Sequence, residues 1–328
     1  MTKERGSARR VLAIDGGGIK GVLPAAFLAK VEEATNERIV DHFDLIAGTS
    51  TGGIIALGLG MGIPASKILA FYRERGPAVF GQPEMWLARL LRFMRWPFCP
   101  KYSSDILRSE MVAIFKDRKL GESETRLVIP AYHRDQQGVY VFKTAHHPRF
   151  EMDYREKVVD IALATAAAPV YFPAHRLPSG SHLLDGGIWG NNPVGLAAVE
   201  AVGVLGWRGE DLRILSLGCT DEAWIFGSDP GLMGIGLLGR NMISLMFQGQ
   251  SHAALGTAKI LTGHPHNGGR VWRYSPKIPA GTFQMDGTEQ IERLAGLGAA
   301  EAREALPELR KAFLIGQRGK FTPHHVLP

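Results

Sequence analysis

An apolar run from Phe43 to Ala47 is followed at once by Gly48-Thr49-Ser50-Thr51-Gly52 and then by a small-residue helical stretch beginning near Thr51. Gly-x-Ser-x-Gly at a strand-to-helix junction is a strong constraint. The sharp turn forms only with small residues on both sides of the serine, and it lifts the hydroxyl off the backbone. Upstream, Arg10 to Ile14 reads as a buried strand, Gly16-Gly17-Gly18 as its turn, and Leu23 to Thr35 as a helix. Strand, turn, helix and strand in that order predict an α/β fold with a central, mostly parallel sheet wrapped in helices. Further strands fit Arg126 to Ala131, Gly138 to Lys143, Arg213 to Leu217 and Arg270 to Tyr274, and helices fit Pro64 to Glu74, Val158 to Ala168, Pro193 to Leu205 and Glu289 to Leu314. No repeat, linker or boundary divides the 328 residues, so one domain over 1–328 is expected.

Composition excludes more than it selects. Cys99 and Cys219 stand far apart without metal-ligand spacing, which argues against a disulfide framework or a zinc site and fits a reducing cytoplasm. The first apolar stretch breaks at Asp15, too short for a secretion signal, and Ile54 to Ile63 is interrupted by glycines and far short of a membrane span. The net charge of +6 favours an anionic partner: a phospholipid surface, a nucleic acid or a phosphorylated small molecule.

Residues 83–97 carry Trp86, Leu87, Leu90, Leu91, Phe93 and Met94 on one helical face and Arg89, Arg92 and Arg95 on the other. Such a segment suits a membrane interface, or a lid packed on the body.

Ser50 is the leading candidate for an acyl-transfer nucleophile. A Ser-Asp-His hydrolase would place several strands before the elbow, whereas here only one precedes Phe43 to Ala47. His252, His264 and His266 therefore read as ordinary residues. Gly16-Gly17-Gly18-Ile19-Lys20-Gly21 also matches the dinucleotide fingerprint, with Glu37 near the spacing of a ribose ligand. The same N–H groups at a helix start could instead cradle an oxyanion. No Ser or Thr follows Lys20, so no P-loop is present. Asp185 precedes Gly186 and Gly187, whose conformational freedom would let the carboxylate aim at Ser50 with no histidine between them. Asn191-Asn192-Pro193 could hold that turn and start the next helix.

In combination these residues resemble the patatin-like phospholipases, whose pattern is Asp-Gly-Gly-Gly-x-Arg/Lys-Gly, then Gly-x-Ser-x-Gly, then Asp-Gly-Gly/Ala. The resemblance covers nearly the whole chain and includes Ala166-Ala167-Ala168-Pro169, Tyr171-Phe172-Pro173, Leu215-Ser216-Leu217-Gly218 and Met285-Asp286. It implies the family's three-layer fold and a Ser-Asp dyad, with Ser50 attacking an ester carbonyl and Asp185 taking its proton. It further implies an oxyanion hole from Gly16, Gly17, Gly18 and Thr51, with Lys20, Gly48, Gly52, Gly186 and Gly187 in support. Lys20 would brace the nest or meet a lipid phosphate. No metal or other cofactor is implied.

The compact length and the early glycine motif also resemble the bacterial patatin-like effectors of cyclic-oligonucleotide anti-phage defence (CBASS). That resemblance implies a cyclic dinucleotide activator made by a partner cyclase, membrane phospholipid as substrate, no DNA or RNA, room for a homodimer, and a cytoplasmic protein that works at the inner membrane. Arg270, Trp272, Arg273 and Tyr274 qualify by composition alone as nucleotide contacts, against a plain strand with alternating exposure. Three alternatives stand beside it: a constitutive lipid hydrolase, an acyltransferase, and a non-catalytic nucleotide module built on Gly16 to Gly21.

Overall fold

The computed structural model describes residues 8–81, 99–223, 242–263, 269–279 and 281–328. The amphipathic segment 83–97, His264 and His266 lie outside these residues.

Strand β1 (Arg9–Ile14) pairs in parallel with β2 (Leu45–Gly48) on one side and β7 (Leu212–Leu217) on the other. Beyond them lie β3 (Arg126–His133) and β9 (Val271–Tyr274), also parallel to their neighbours. Two strands run against this direction, β4 (Gly138–Lys143) and β6 (His182–Asp185), while β5 (His175–Arg176), antiparallel to β6, runs with it. The order is β5-β6-β3-β2-β1-β7-β9, with β4 in a hairpin on β3. A separate two-stranded ribbon joins β8 (Asp221–Ala223) to β10 (Lys277–Pro279).

Period-2 alternation splits the sheet's apolar residues between two cores. Leu12, Ile14, Ile46, Leu127, Ile129 and Leu215 face one helical layer: α1 (Val22–Thr35), α2 (Thr51–Gly60), α3 (Ala65–Val79), α4 (Ser104–Phe115), α5 (Val158–Thr165) and α9 (Ile291–Ala312). Val11, Ala13, Leu45, Ala47, Val128 and Ile214 face the other, where α7 (Val194–Val199) and α8 (Met242–Leu261) pack. Helix α6 (Gly187–Gly190) lies between β6 and α7. The expected three layers are present. Helix α2 is buried on every side, as its all-small and aliphatic sequence requires.

Several boundaries differ from the sequence reading. Helix α3 continues through Pro77 to Val79, five residues beyond Glu74. The helix from Val194 widens into a π-helical turn over Glu200–Val204, where Glu200 is buried and accepts from Lys143 and His146. Helix α4 and strands β5 and β6 had no strong periodic signal. They are placed by burial of Leu107, Met111 and Phe115, by pairing of β6 on β3 and by pairing of β5 on β6.

In a parallel sheet the turns that follow the strands gather at one edge. Ile14 pairs with both Gly48 and Leu217, so the glycine turn, the serine elbow and the Cys219 loop meet at that edge.

Candidate active site

Ser50 adopts φ 54° and ψ −122°, a left-handed conformation unusual for a residue with a side chain. Such strain persists only where the surroundings over-determine it. Here the Ser50 N–H donates to Thr165 Oγ1 at 3.0 Å, and the Thr49 hydroxyl donates to the Gly190 carbonyl at 2.7 Å. The glycines flanking the serine leave room for backbone. A Cβ on Gly48 would lie 2.1 Å from the Gly52 carbonyl oxygen, and one on Gly52 would lie 2.2 Å from that of Ile14.

Asp185 ends β6 opposite Ala131 and is buried. Burial pushes its carboxyl up to about 6; hydrogen bonding from the Ser50 hydroxyl and the Gly187 N–H offsets part of that rise. The Gly187 N–H donates to Asp185 Oδ1 at 2.6 Å, which orients the carboxylate. The conformational freedom expected of Gly186 is not what this turn uses. Its φ of −62° is ordinary helix, and glycine is needed because a Cβ would sit 2.3 Å from the Pro130 carbonyl oxygen.

The glycine turn supplies donors unequally. The Gly16 N–H is spent on the Asn191 carbonyl at 3.0 Å, and the Asn191 side-chain amide donates back to Gly16 O at 3.3 Å. The N–H groups of Gly17, Gly18 and Thr51 take no hydrogen-bond partner among the described residues. Gly18 has φ +60°, and a Cβ there would meet the Met285 carbonyl oxygen at 2.2 Å, so no other residue fits. That carbonyl in turn accepts from the Ile19 N–H at 2.8 Å, and the next residue, Asp286, accepts from Lys101 and from the Tyr102 hydroxyl.

Ser50, Thr51 and Gly18 open into a cleft of about 600 Å3 walled by Ile54, Phe71, Val79, Phe80, Leu107, Tyr171, Phe172 and Met285. Phe80, Tyr102 and Phe172 form an edge-packed ring cluster at its wall. A hydroxyl beside a high-pKa carboxylate, with unpaired N–H groups nearby and an apolar trough in front, can open an ester that bears an alkyl chain.

The remaining sequence candidates take other places. Lys20 is buried and donates to Glu222 Oε1 at 3.1 Å, so its ammonium is paired inside the protein and not presented to a lipid phosphate. Glu37 lies between α1 and β2, at the opposite edge of the sheet from the glycine turn, and pairs with His42 at 2.9 Å. That placement removes the ribose contact on which the nucleotide fingerprint depends. Arg273 forms a two-pronged bond to Asp15 at 2.8 and 2.6 Å, while Arg270 donates to the Thr262 carbonyl. Trp272 and Tyr274 both reach Glu308. All of β9 is half-buried, not alternating. His252 is exposed on α8. Among the described residues no cluster of metal-ligating side chains occurs, and no helix is long and apolar enough to cross a membrane.

Sequence reasoning missed Thr165, Thr49 and Tyr72, whose hydroxyl bonds both the Thr51 hydroxyl and its carbonyl. Isolated threonines carry no pattern. The role of Asn191 had a signal in Asn-Asn-Pro, though not its partner.

The comparisons agree with this geometry. The model of the patatin-like phospholipase family matches residues 12–198, which hold the glycine turn, Ser50 and Asp185. A cGAMP-activated phospholipase of Pseudomonas aeruginosa is 42% identical over 210 residues, covering 63% of this chain and 61% of that protein. A cGAMP-activated phospholipase of Vibrio cholerae is 33% identical over 233 residues, covering 66% and 65% respectively. Patatin-like protein 4 of Arabidopsis thaliana is 31% identical over 221 residues, covering 61% and 54%. The chain thus spans less than two thirds of the length of these relatives. With more than half of its length matched by the family model and its three glycine motifs meeting at one sheet edge, the chain belongs to the patatin-like phospholipase family.

Proposed function

We propose that the protein is a phospholipase that hydrolyses acyl esters of membrane lipids through Ser50 and Asp185 and is switched on by a cyclic dinucleotide. The observation that carries the chemistry is the strained Ser50 beside a buried Asp185 whose carboxyl is held near 6, at the foot of an apolar cleft. At neutral pH such a carboxylate is ionised yet basic enough to accept a proton in the transition state.

The Ser50 hydroxyl oxygen attacks the ester carbonyl carbon while its proton passes to Asp185. The carbonyl oxygen becomes an oxyanion, which the Gly17, Gly18 and Thr51 N–H groups stabilise; Gly16 has no hydrogen to offer, since Asn191 holds it. Collapse breaks the C–O bond to the lysolipid, and that alkoxide takes the proton from Asp185. Asp185 then deprotonates a water that attacks the acyl-serine. The fatty acid leaves, and the returning proton regenerates Ser50. The acyl chain occupies the apolar cleft throughout.

Control by a cyclic dinucleotide of the cGAMP class is supported by kinship with the Pseudomonas and Vibrio phospholipases. The net charge of +6 supports work at an anionic membrane surface as a peripheral protein. The test is fatty-acid release from phosphatidylethanolamine/phosphatidylglycerol vesicles by the wild type and Ser50→Ala, with and without cGAMP. Release that needs both Ser50 and cGAMP is expected. Release without nucleotide would remove the switch, and release by Ser50→Ala would remove the nucleophile.

A further inference from the structure

Behind the cleft lies a second cavity of about 650 Å3, between α2, α3 and α4. The two spaces share two wall residues, Ile54 and Phe71. Ser50, Ile54 and Gly58 follow one another every four residues along α2, so they stack on one face and each step advances about 6 Å. Moving along the helix from Ser50 past Ile54 therefore leads out of the cleft and into the cavity. Gly58 lets Ile68 pack close at this wall, so that a Cβ on it, 2.8 Å from Ile68 Cδ1, would push that side chain toward the cavity. The lining is aliphatic and aromatic apart from the exposed Lys67 at the rim. Walls of this kind have no partner atoms across the void and recover dispersion contacts only from an apolar guest.

We infer that this cavity is a distal acyl subsite: the far end of a long chain esterified to Ser50 passes between Ile54 and Phe71 and is buried there. The inference rests on the hydrolase reading above. Phe71 is the partition, with its ring set edge-on against Tyr72 at 5.2 Å between centroids. Short chains end in the first cleft, whereas long chains need the second. The residues that set chain-length preference are then Phe71, at the wall between the two spaces, and the cavity wall at Ile63 and Gly58, which do not line the cleft at Ser50.

The test measures kcat/KM for p-nitrophenyl butyrate and palmitate with cGAMP present, in the wild type, Phe71→Ala, Ile63→Phe and the milder filler Gly58→Ala. In a folded Ile63→Phe protein the palmitate-to-butyrate ratio should fall by about tenfold or more, since a few methylenes in an apolar pocket discriminate at about that level. Gly58→Ala should move the ratio the same way by less, and Phe71→Ala should raise it. A fluorescent long-chain fatty acid should bind Ser50→Ala protein and bind more weakly once Ile63→Phe is added. Unchanged ratios in variants with wild-type melting temperatures would overturn the subsite and leave the hydrolase standing. Weakened fatty-acid binding with an unchanged ester ratio would assign the cavity to free fatty acid and overturn the inference as stated. No Ser50-dependent turnover of either ester would overturn the hydrolase reading, and the subsite with it.

Discussion

The glycine turn after β1 has two unlike sides. In front, Gly18 and Thr51 line an apolar cleft and hold N–H groups without partners among the described residues. Behind, it lines a polar pocket where Asp15 is clamped by Arg273, Lys20 by Glu222, and Gly16 by Asn191. The front N–H groups are left unsatisfied while the charged groups of the rear are paired, although Thr220 Oγ1 and Arg273 Nε are buried there without partners among the described residues. Unpaired donors stabilise a developing charge only if they do not have to reorganise to meet it. The rear contacts hold the loop so that the front can stay unpaired, and Met285, which borders both pockets, closes it from above.

The sharpest way to break this contrast is to remove the group that uses the front. Ser50→Ala should lower vesicle hydrolysis by about a millionfold, the scale of losing a nucleophile that acts as a unit with its base, with far-UV circular dichroism unchanged. Next in size is Gly18→Ala, which places a methyl group against the Met285 carbonyl and forces an unfavourable φ. It should cost about 100- to 1000-fold in kcat, as the loss of an oxyanion donor does, measured on a soluble ester. The rear is tested by Arg273→Met. Asp15 would stay buried without its partner, so thermal unfolding should report a loss of about 3–5 kcal/mol.

Asp185 sharpens the comparison through pH. Its carboxyl is raised from 3.8 to about 6, so the folded protein holds that proton more tightly than the unfolded chain does. Stability from this group is therefore fully present below 3.8 and is lost as pH rises through about 6, on the order of 3 kcal/mol. Activity runs the other way, since the base must be ionised: kcat should fall about tenfold for each pH unit below about 6. Asp185→Asn should raise the melting temperature at pH 7 while abolishing hydrolysis, and a lower melting temperature would contradict this account. The smallest effect is expected for Lys20→Met. Its ion pair borders a water-accessible pocket, and its loss should cost about 1–2 kcal/mol by denaturant titration.

The legible part of the site lay in short stretches of chain. Ser50 and its glycines declare the elbow because the turn's sterics act within five residues, and the strand-turn-helix-strand order declares the parallel sheet. Asp185 was legible through Asp-Gly-Gly. The reason for glycine at 186 was not, since the crowding atom is the Pro130 carbonyl, 56 positions earlier in the chain. Gly16 looked equivalent to Gly17 and Gly18 until Asn191 claimed its N–H. Arg273 and Lys20 looked like ligands for phosphate because a sequence does not show that Asp15 and Glu222 already hold them.

Taken alone, the sequence determined the α/β layering, the elbow and the chemical identity of the nucleophile and base, because hydrophobic period and steric rules of turns operate over a few residues. Tertiary structure alone decided the rest: which N–H groups stay unpaired, how far burial raises the Asp185 carboxyl, and where apolar space lies in front of and behind Ile54 and Phe71. Those properties depend on neighbours that are distant in the chain, on desolvation and on the gaps between helices, and none of these is written in any single segment.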